Sequence, residues 1–245
     1  MQVIITMAGN SQRYIDEGFN PPKSFIKIDD HYMIDLLIKQ FPPEWKLFFV
    51  VQNNLEQKYL NYLDAIGKVV LVNYSERGPL DSVLACYDVL NFTVPTIVTY
   101  CDFSFKWNTL DFLSKVNESD AAVLGITGFH STFSGPNSYC HYLVKNGFVT
   151  ELQEKKLFSD NIEKEWTSCG LYYFKSAEFL KKCLHLQIDQ DLKYQTGEYY
   201  ISLALQAALN SESSLKILNY PIDQFIQFGT PYDLKMYLYW KNIFK

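Results

Sequence analysis

Five short apolar runs alternate with amphipathic stretches along the first half of the chain, and this alternation restricts the fold more than any other feature. The runs predict buried strands over Gln2–Thr6, Lys46–Gln52, Lys68–Asn73, Thr96–Cys101 and Ala121–Ile126. The stretches between them predict helices over His31–Phe41, Leu55–Ala65, Ser82–Leu90 and Leu110–Val116. Such alternation is typical of βαβ units. We therefore expect an α/β fold with a Rossmann-like, mostly parallel mixed sheet flanked by helices.

The pattern changes in the second half of the chain, where strands follow one another more closely. Tyr139–Val144 and Phe148–Glu154 flank Asn146-Gly147, a dipeptide that favours a tight hairpin turn. Further strands are predicted over Trp166–Phe174 and Lys216–Tyr220, and helices over Ala177–His185, Glu198–Ala208 and Pro231–Ile243. This indicates an α+β region that extends the first sheet. We find no linker, so we predict one domain over 1–245 with two functional halves, 1–135 and 136–245.

Composition excludes several classes of protein. The 245 residues carry a net charge of −5 without a dense run of Lys or Arg, which argues against a nucleic-acid partner. The five cysteines are scattered and form no CxxC pair, so neither a disulfide framework nor a zinc site is indicated. No apolar run reaches the ~18 residues of a membrane span, and the N-terminus lacks the basic region of a signal peptide. We expect a cytoplasmic protein without a membrane partner.

The segment from Met7 to Lys23, "MAGNSQRYIDEGFNPPK", follows the first predicted strand. Small residues at the carboxyl end of such a strand expose backbone N–H groups, and ligands bind at this edge of open α/β sheets. Arg13 offers a planar fork for phosphate oxygens, and Lys23 offers a compact second charge. An ordinary surface turn with solvated cations is the alternative. The segment matches neither GxGxxG nor GxxxxGK[ST].

A resemblance emerges when several segments are taken together. The opening "MAGNSQRYIDEGFNPPKSFIKIDDHYMID" resembles that of the sugar-phosphate nucleotidyltransferases, with Ser11 where many members have a second Gly. The resemblance continues through Gly78-Pro79, "VTYCDF", "LQEKK", "SCGLYYF", "TGEYY" and "FIQFGTPYDL" in the family's order. The ending is similar to capsule-associated cytidylyltransferases of the choline-phosphate or phosphoglutamine type. Matches in this order indicate the fold and the type of reaction rather than the substrate.

The resemblance implies transfer of a nucleoside monophosphate from a triphosphate, by analogy CTP, to a phosphorylated small-molecule acceptor with release of pyrophosphate. It places the reaction in capsular or surface polysaccharide biosynthesis. It implies dependence on Mg²⁺, with Mn²⁺ as a substitute. The implied catalytic residues are Arg13 and Lys23, and the implied metal ligands are Asp102 and Gln227. The implied nucleotide-binding residues are Met7, Ala8, Gly9, Asn10, Ser11, Gln52, Gly78, Pro79, Asp81 and Ser82. The implied acceptor-binding residues are Glu154, Lys155, Gly170, Glu198 and Tyr199.

Gln227 is the main departure from the family pattern, because many members have a second metal-binding carboxylate at that position. Either one protein carboxylate suffices, or Asp223 or a water fills the gap. Three of these residues also have structural interpretations that do not depend on the resemblance. Asp102 could be a helix-cap or turn aspartate, Gly78 could belong to a plain strand-to-helix turn, and Gln52 could be an ordinary polar strand end.

Two other functional interpretations stay open at this stage. One is a thymidylyl- or uridylyltransferase acting on a hexose 1-phosphate. Another is a nucleotide-sugar-binding regulator without turnover, which Gln227 would favour. The aromatic C-terminal stretch "MYLYWKNIF" is compatible with a packing helix or with a homodimer contact.

Overall fold

The computed structural model describes residues 1–134 and 137–243, and its centre is a nine-stranded sheet with helices packed on both faces. The sheet contains β1 (Gln2–Thr6), β4 (Lys46–Gln52), β5 (Lys68–Val72), β6 (Thr96–Tyr100), β8 (Ala121–Ile126), β9 (Cys140–Lys145), β10 (Phe148–Glu154), β11 (Trp166–Phe174) and β12 (Ile217–Pro221). Two short antiparallel pairs lie outside it: β2 (Lys27–Ile28) with β3 (His31–Tyr32), and β7 (Phe103–Lys106) with β13 (Gln224–Gln227).

Eight α-helices connect the strands within the described residues. They are α1 (Gln12–Asp16), α2 (Met33–Ile38), α3 (Gln57–Asp64), α4 (Pro79–Leu84), α5 (Thr109–Val116), α6 (Ala177–Asp189), α7 (Ile201–Ser211) and α8 (Pro231–Ile243). The predicted α/β architecture with flanking helices is confirmed.

The order of the strands separates the sheet into two regions. The order is β5-β4-β1-β6-β11-β8-β12-β10-β9. The first four strands are mutually parallel, as βαβ connections require. In the second region β11 runs antiparallel to both β6 and β8, and β10 runs antiparallel to β12 and β9. The carboxyl ends of β1, β4 and β6 therefore meet at one edge, where the Met7–Lys23 segment leaves β1.

The second region closes into a ring, because the first residues of β11 also pair with β9. β8, β12, β10, β9 and β11 are then joined edge to edge. Tyr142 on β9 is 1 % exposed and stacks on Trp166, and its hydroxyl donates to Asn219 over 2.9 Å. Gly125 on β8 faces this hydroxyl, and a β-carbon there would clash with it. The missing side chain at Gly125 therefore makes room for the Tyr142 ring.

The core lies on both faces of the sheet, as the apolar runs predict. Ile4, Val98 and Tyr172 pack into one buried cluster. Their strand neighbours Val3 and Ile5 pack into the cluster on the opposite face. Burial on both faces explains why β1 has no polar alternation.

Several predicted elements differ from the structure. The segment predicted as one helix over His31–Phe41 begins with β3, and α2 covers only Met33–Ile38. The helix predicted over Ser82–Leu90 begins earlier, at Pro79, and ends at Leu84, because the next residues form tight turns such as Cys86 N–H to Val83 O. The helix predicted from Glu198 starts at Ile201. The sequence analysis did not predict α1, β7 or β13.

Candidate active site

Lys23 and Asp102 form an ion pair at the carboxyl end of β6. The Lys23 ammonium donates to Asp102 Oδ2 over 2.7 Å, and the side chains are 20 % and 17 % exposed. Pro22, with extended backbone, precedes the single 3₁₀ turn that contains Lys23. Burial opposes the charge on Lys23, but the adjacent carboxylate outweighs it and raises the pKa of Lys23. A fixed positive charge therefore stands beside a carboxylate where β1 and β6 end.

Arg13 is the exposed cation of this edge. It lies on α1, which begins directly after Ser11. The left-handed backbone of Ser11 (φ 55°) turns the chain out of the loop that follows β1. The charge of Arg13 acts on three partly buried groups, since it opposes the rise in the pKa of Lys23, of Asp233 and of the Tyr200 hydroxyl. Within residues 1–134 and 137–243 it forms no ion pair. Within the described residues, the Arg13 guanidinium therefore has no carboxylate partner.

Gln227 is brought to Asp102 by the pairing of β13 with β7. Gln227 lies opposite Phe103, and the Phe228 N–H donates to Asp102 O over 2.8 Å. Asp102 Oδ2 lies 3.3 Å from the point that a β-carbon on Gly229 would occupy, and the Gln227 amide crowds the same point. The two implied metal ligands are thus adjacent, and Gly229 leaves the space for them.

Asp223, one of the alternatives for the missing carboxylate, lies away from Asp102. Its N–H donates to Lys106 O at the far end of the β7–β13 pair, whereas Gln227 lies at the near end. A different carboxylate, Asp233, is electrostatically coupled to Asp102. Burial and the charge of Asp102 raise the pKa of Asp233, which also accepts hydrogen bonds from Thr230 at the start of α8. In the sequence, Asp233 could be singled out only by its capping-box spacing from Thr230. That spacing indicates the start of a helix and not a functional site.

The implied nucleotide-binding residues of the first loop are held by β4. The Met7 N–H donates to Val50 O over 2.8 Å. The Gln52 amide donates to Ala8 O over 2.9 Å and to Asn10 Oδ1 over 2.8 Å. Gln52 therefore fixes the path of the small-residue loop.

The second implied nucleotide segment forms the start of α4. Gly78 has φ 72° and ψ −144°, a conformation that is essentially restricted to glycine, and Pro79 follows as the first helical residue. Asp81 is engaged locally, since Oδ2 accepts from Ser75 over 2.5 Å and Oδ1 lies 3.2 Å from Arg77. Ser82 is 8 % exposed. Of this segment, Gly78 and Pro79 present backbone at the edge, while Ser82 is part of the core.

Lys155 has two tyrosine rings as neighbours in the acceptor half. Its ammonium donates to the Tyr200 hydroxyl over 2.5 Å and lies 4.4 and 4.6 Å from the ring centres of Tyr200 and Tyr194. Tyr199, which the sequence analysis assigned to acceptor binding, is 9 % exposed and turns the other way, toward Arg77 and Asp191. Adjacent residues in extended backbone point to opposite sides. Tyr200 is therefore the residue of the "TGEYY" motif that contacts Lys155.

Glu154 and Glu198 surround the same position. Burial raises the pKa of Glu154 to about 7, the charge of Glu198 adds to this rise, and the hydroxyl of Ser202 donates to Glu154 over 2.5 Å. Glu198 lies against Gly78, where an added β-carbon would be 3.4 Å from Glu198 Cβ. This contact joins the implied nucleotide-binding and acceptor-binding segments.

Gly170 stands at a β-bulge of β11, between Ser168 and Leu171. Its φ is 87°, and a β-carbon there would lie 2.7 Å from Tyr100 Cδ2. The need for glycine at this position therefore follows from the packing of Tyr100, whatever the acceptor.

A cavity of about 560 Å³ lies beyond the far end of β13 and is lined by Thr127, Trp166, Asp223 and Gln224, among others. Apart from Asp223, which the sequence analysis offered as one alternative at the metal site, its lining includes none of the residues assigned to the site. Residues 1–134 and 137–243 contain no group of three or more His, Cys, Asp or Glu side chains arranged for a metal ion. In the same part of the chain, no helix has the length and apolar character to cross a membrane.

The chain shares its fold with solved nucleotidyltransferase structures. A nucleoside-diphosphate-sugar pyrophosphorylase from Vibrio cholerae RC9 superposes with a TM-score of 0.75 at 18% identity, over 97% of this chain and 99% of that one. An inositol-1-phosphate CTP transferase from T. maritima gives 0.72 at 18% identity, over 97% and 93%. A UDP-glucose pyrophosphorylase complexed with UDP-glucose gives 0.71 at 13% identity, over 98% of each chain. No protein-family model and no curated sequence matches the chain.

Proposed function

We propose that this protein is a nucleotidyltransferase that moves a nucleoside monophosphate from a triphosphate to a phosphorylated small molecule and releases pyrophosphate. The observation that carries the proposal is a series of interactions that links the cations Lys23, Arg13 and Lys155. Arg13 acts electrostatically on Lys23 and on Tyr200, and Tyr200 in turn binds Lys155. Two polyanions can be neutralised from both sides in such an arrangement.

The reaction needs positioning more than proton transfer. An acceptor phosphate oxygen, already anionic near neutral pH, attacks the α-phosphorus of the triphosphate. The bond from that phosphorus to the β-phosphate oxygen breaks, and pyrophosphate leaves with the electron pair. No general base is required, so a site without a catalytic histidine suffices. Arg13 and Lys23 would bind the triphosphate, and Lys155 would bind the acceptor phosphate.

Asp102 and Gln227 are the residues that would hold Mg²⁺ or Mn²⁺. Their oxygens suit a hard cation, which commonly takes one or two carboxylates together with phosphate oxygens and water. Asp102 Oδ2 is bound to Lys23, while its second oxygen accepts no hydrogen bond from the described residues. When bound, the ion would offset the charge that develops on the phosphates. Asp233 adds negative charge at the same place, which favours a divalent cation there.

CTP is the donor that we propose, by analogy with cytidylyltransferases. One structure of similar fold carries the description inositol-1-phosphate CTP transferase, which supports a cytidine donor. Others are described as a UDP-glucose pyrophosphorylase and as a putative glucose-1-phosphate thymidylyltransferase, which supports a hexose 1-phosphate acceptor with UTP or dTTP equally well. A role in capsular or surface polysaccharide synthesis is part of the CTP proposal.

The test is pyrophosphate release with CTP, UTP, dTTP, ATP and GTP against glucose 1-phosphate, inositol 1-phosphate, choline phosphate and phosphoglutamine. We expect turnover with one triphosphate only when a phosphorylated acceptor is present, and loss of turnover in Arg13→Ala. Retained binding of nucleotide sugars without turnover in any pair would instead favour the regulator, and absence of nucleotide binding would contradict both.

A further inference from the structure

Lys155 is held in an unusual position for a surface lysine. Its backbone is left-handed, with φ 54°, and its N–H donates to Tyr139 O over 2.8 Å. The rings of Tyr194 and Tyr200 meet nearly at a right angle, with centres 6.1 Å apart. The ammonium lies in the corner between them, within cation–π distance of both.

Tyr200 is itself fixed by the fold. It precedes the first residue of α7, and its carbonyl accepts from the Gln187 side chain over 3.0 Å. Gln187 is fully buried and also donates to Leu192 O, so one amide holds both ends of the loop that contains Tyr194. A second bond, from the Tyr194 N–H to Glu198 O over 2.9 Å, closes this loop.

The Tyr200 hydroxyl stands between opposite charges. It accepts from the Lys155 ammonium on one side. Burial and the carboxylates of Glu198 and Glu154 raise its pKa, while Arg13 acts in the other direction. A hydroxyl that accepts a hydrogen bond from an ammonium can still donate its own proton. The carboxylates of Glu198 and Glu154 attract that proton and so orient the Tyr200 hydroxyl. The bond to Lys155 is therefore charge-assisted and directional.

We propose that Tyr200 is a positioning residue that holds the Lys155 ammonium in place for the acceptor phosphate, an inference that rests on the proposed function. One of the three ammonium protons binds Tyr200, which leaves two for phosphate oxygens. This hydrogen bond, the tether, already restricts the side-chain rotamers of Lys155 before the acceptor binds. Less conformational entropy is therefore lost on binding. Tyr200 acts through Lys155 and not on the reacting atoms.

The direct test uses Tyr200→Phe, which keeps the ring and removes only the hydroxyl. Tyr220→Phe is a matched control, because the Tyr220 hydroxyl donates to Asp111 and Lys115 lies over its ring, 5.6 Å from the centre. Modification of Lys155 by trinitrobenzenesulfonate is followed by mass spectrometry, with Lys58 as the exposed internal reference. We expect Tyr200→Phe to raise the Lys155 rate about three- to tenfold and Tyr220→Phe to leave it unchanged. An unchanged rate in Tyr200→Phe overturns the proposal.

Steady-state kinetics test whether the positioning of Lys155 by Tyr200 matters for acceptor binding. With the triphosphate and acceptor that turn over, Tyr200→Phe should raise the acceptor KM about tenfold, with the KM for the triphosphate and kcat within about twofold of wild type. In a Lys155→Ala background the same change should alter kcat/KM for the acceptor by less than about twofold, since the tethered group is gone. Equal effects in both backgrounds, or an unchanged acceptor KM, overturn the proposal. If wild type turns over no pair, the proposed function fails, while the modification experiment still reports on the tether.

Discussion

Lys23 is a residue with two partners, one present in the structure and one that we propose. In the structure it binds Asp102, and this pairing keeps its charge in a largely buried place. During turnover it would also face the triphosphate, beside Arg13. A lysine suits both uses, because its ammonium is a compact charge with three donors that can be shared between a carboxylate and a phosphate oxygen.

The first prediction follows from this sharing. Lys23→Ala should lower turnover by roughly 100-fold or more, because a charge directed at the phosphates is lost. Lys175→Ala is the matched control, since Lys175 forms a 2.6 Å ion pair with Asp120 that lies away from the site. Its turnover should equal that of wild type. Steady-state pyrophosphate release measures both variants, and near-normal turnover in Lys23→Ala would remove Lys23 from the phosphate site.

The second prediction concerns Gln227, which stands where many family members have a carboxylate. Gln227→Asp should shift the Mg²⁺ requirement to lower concentration, because an added carboxylate beside Asp102 attracts a divalent ion with a few kcal/mol at an effective dielectric of about 20. Gln227→Ala should weaken the response to Mg²⁺ and leave nucleotide binding nearly unchanged. The measurement is an Mg²⁺ titration at saturating nucleotide. Three superimposable curves would exclude Gln227 from the metal site.

At the scale of the element, the bulge in β11 connects packing with the site. Gly170→Ala should destabilise the fold by about 2–4 kcal/mol, since it combines a positive φ with a collision against the Tyr100 ring. Gly147→Ala is the control, because Gly147 has a similar φ of 83° in open space and Gly170 has 87° against Tyr100. That variant should lose only about 1–2 kcal/mol. Urea unfolding measures the stability of both variants. Equal losses of stability would mean that the Tyr100 ring moves aside without an energetic penalty.

Glu154, the last residue of β10, makes the stability of the folded protein depend on pH. Its pKa is raised from 4.5 to about 7, so the folded state keeps a proton that the unfolded state loses. Its contribution to stability is present below about pH 4.5 and is lost as the pH rises toward 7. Glu154→Gln should therefore gain stability relative to wild type between these values, on the order of 1–3 kcal/mol. Urea unfolding from pH 4.5 to 8 tests this, with the exposed Glu151→Gln on the same strand as control. Parallel pH profiles for wild type and Glu154→Gln would contradict it.

The elements also show what the sequence could predict. The strands β1, β4 and β6 of the parallel half were predicted to within one residue, because burial on both faces leaves an uninterrupted apolar run. The strands β7 and β13 were missed, because each has only four residues and pairs only with the other, far away in sequence. The placement of Gln227 near Asp102 depends on that pairing. Which of Tyr199 and Tyr200 turns toward Lys155 could not be predicted, since sequence alone does not give the side to which each ring turns.

At the scale of the whole molecule, the two predicted halves meet through specific contacts. Gly78 packs against Glu198, and the Tyr199 N–H donates to Arg77 O over 2.9 Å. The proposed nucleotide segment and the proposed acceptor segment are therefore braced against each other. We expect the two substrates to be held at a fixed separation, as an in-line displacement between two anions requires.

The central claim is that the α-phosphate of a nucleoside triphosphate is transferred to the phosphate of a small acceptor. The most direct measurement is ³¹P NMR of the purified protein with Mg²⁺, the triphosphate and each phosphorylated acceptor. We expect a new diphosphate-diester product that appears together with an equimolar amount of free pyrophosphate, and neither signal without acceptor. Pyrophosphate that forms without the diester, or a nucleoside diphosphate in its place, would rule out this reaction.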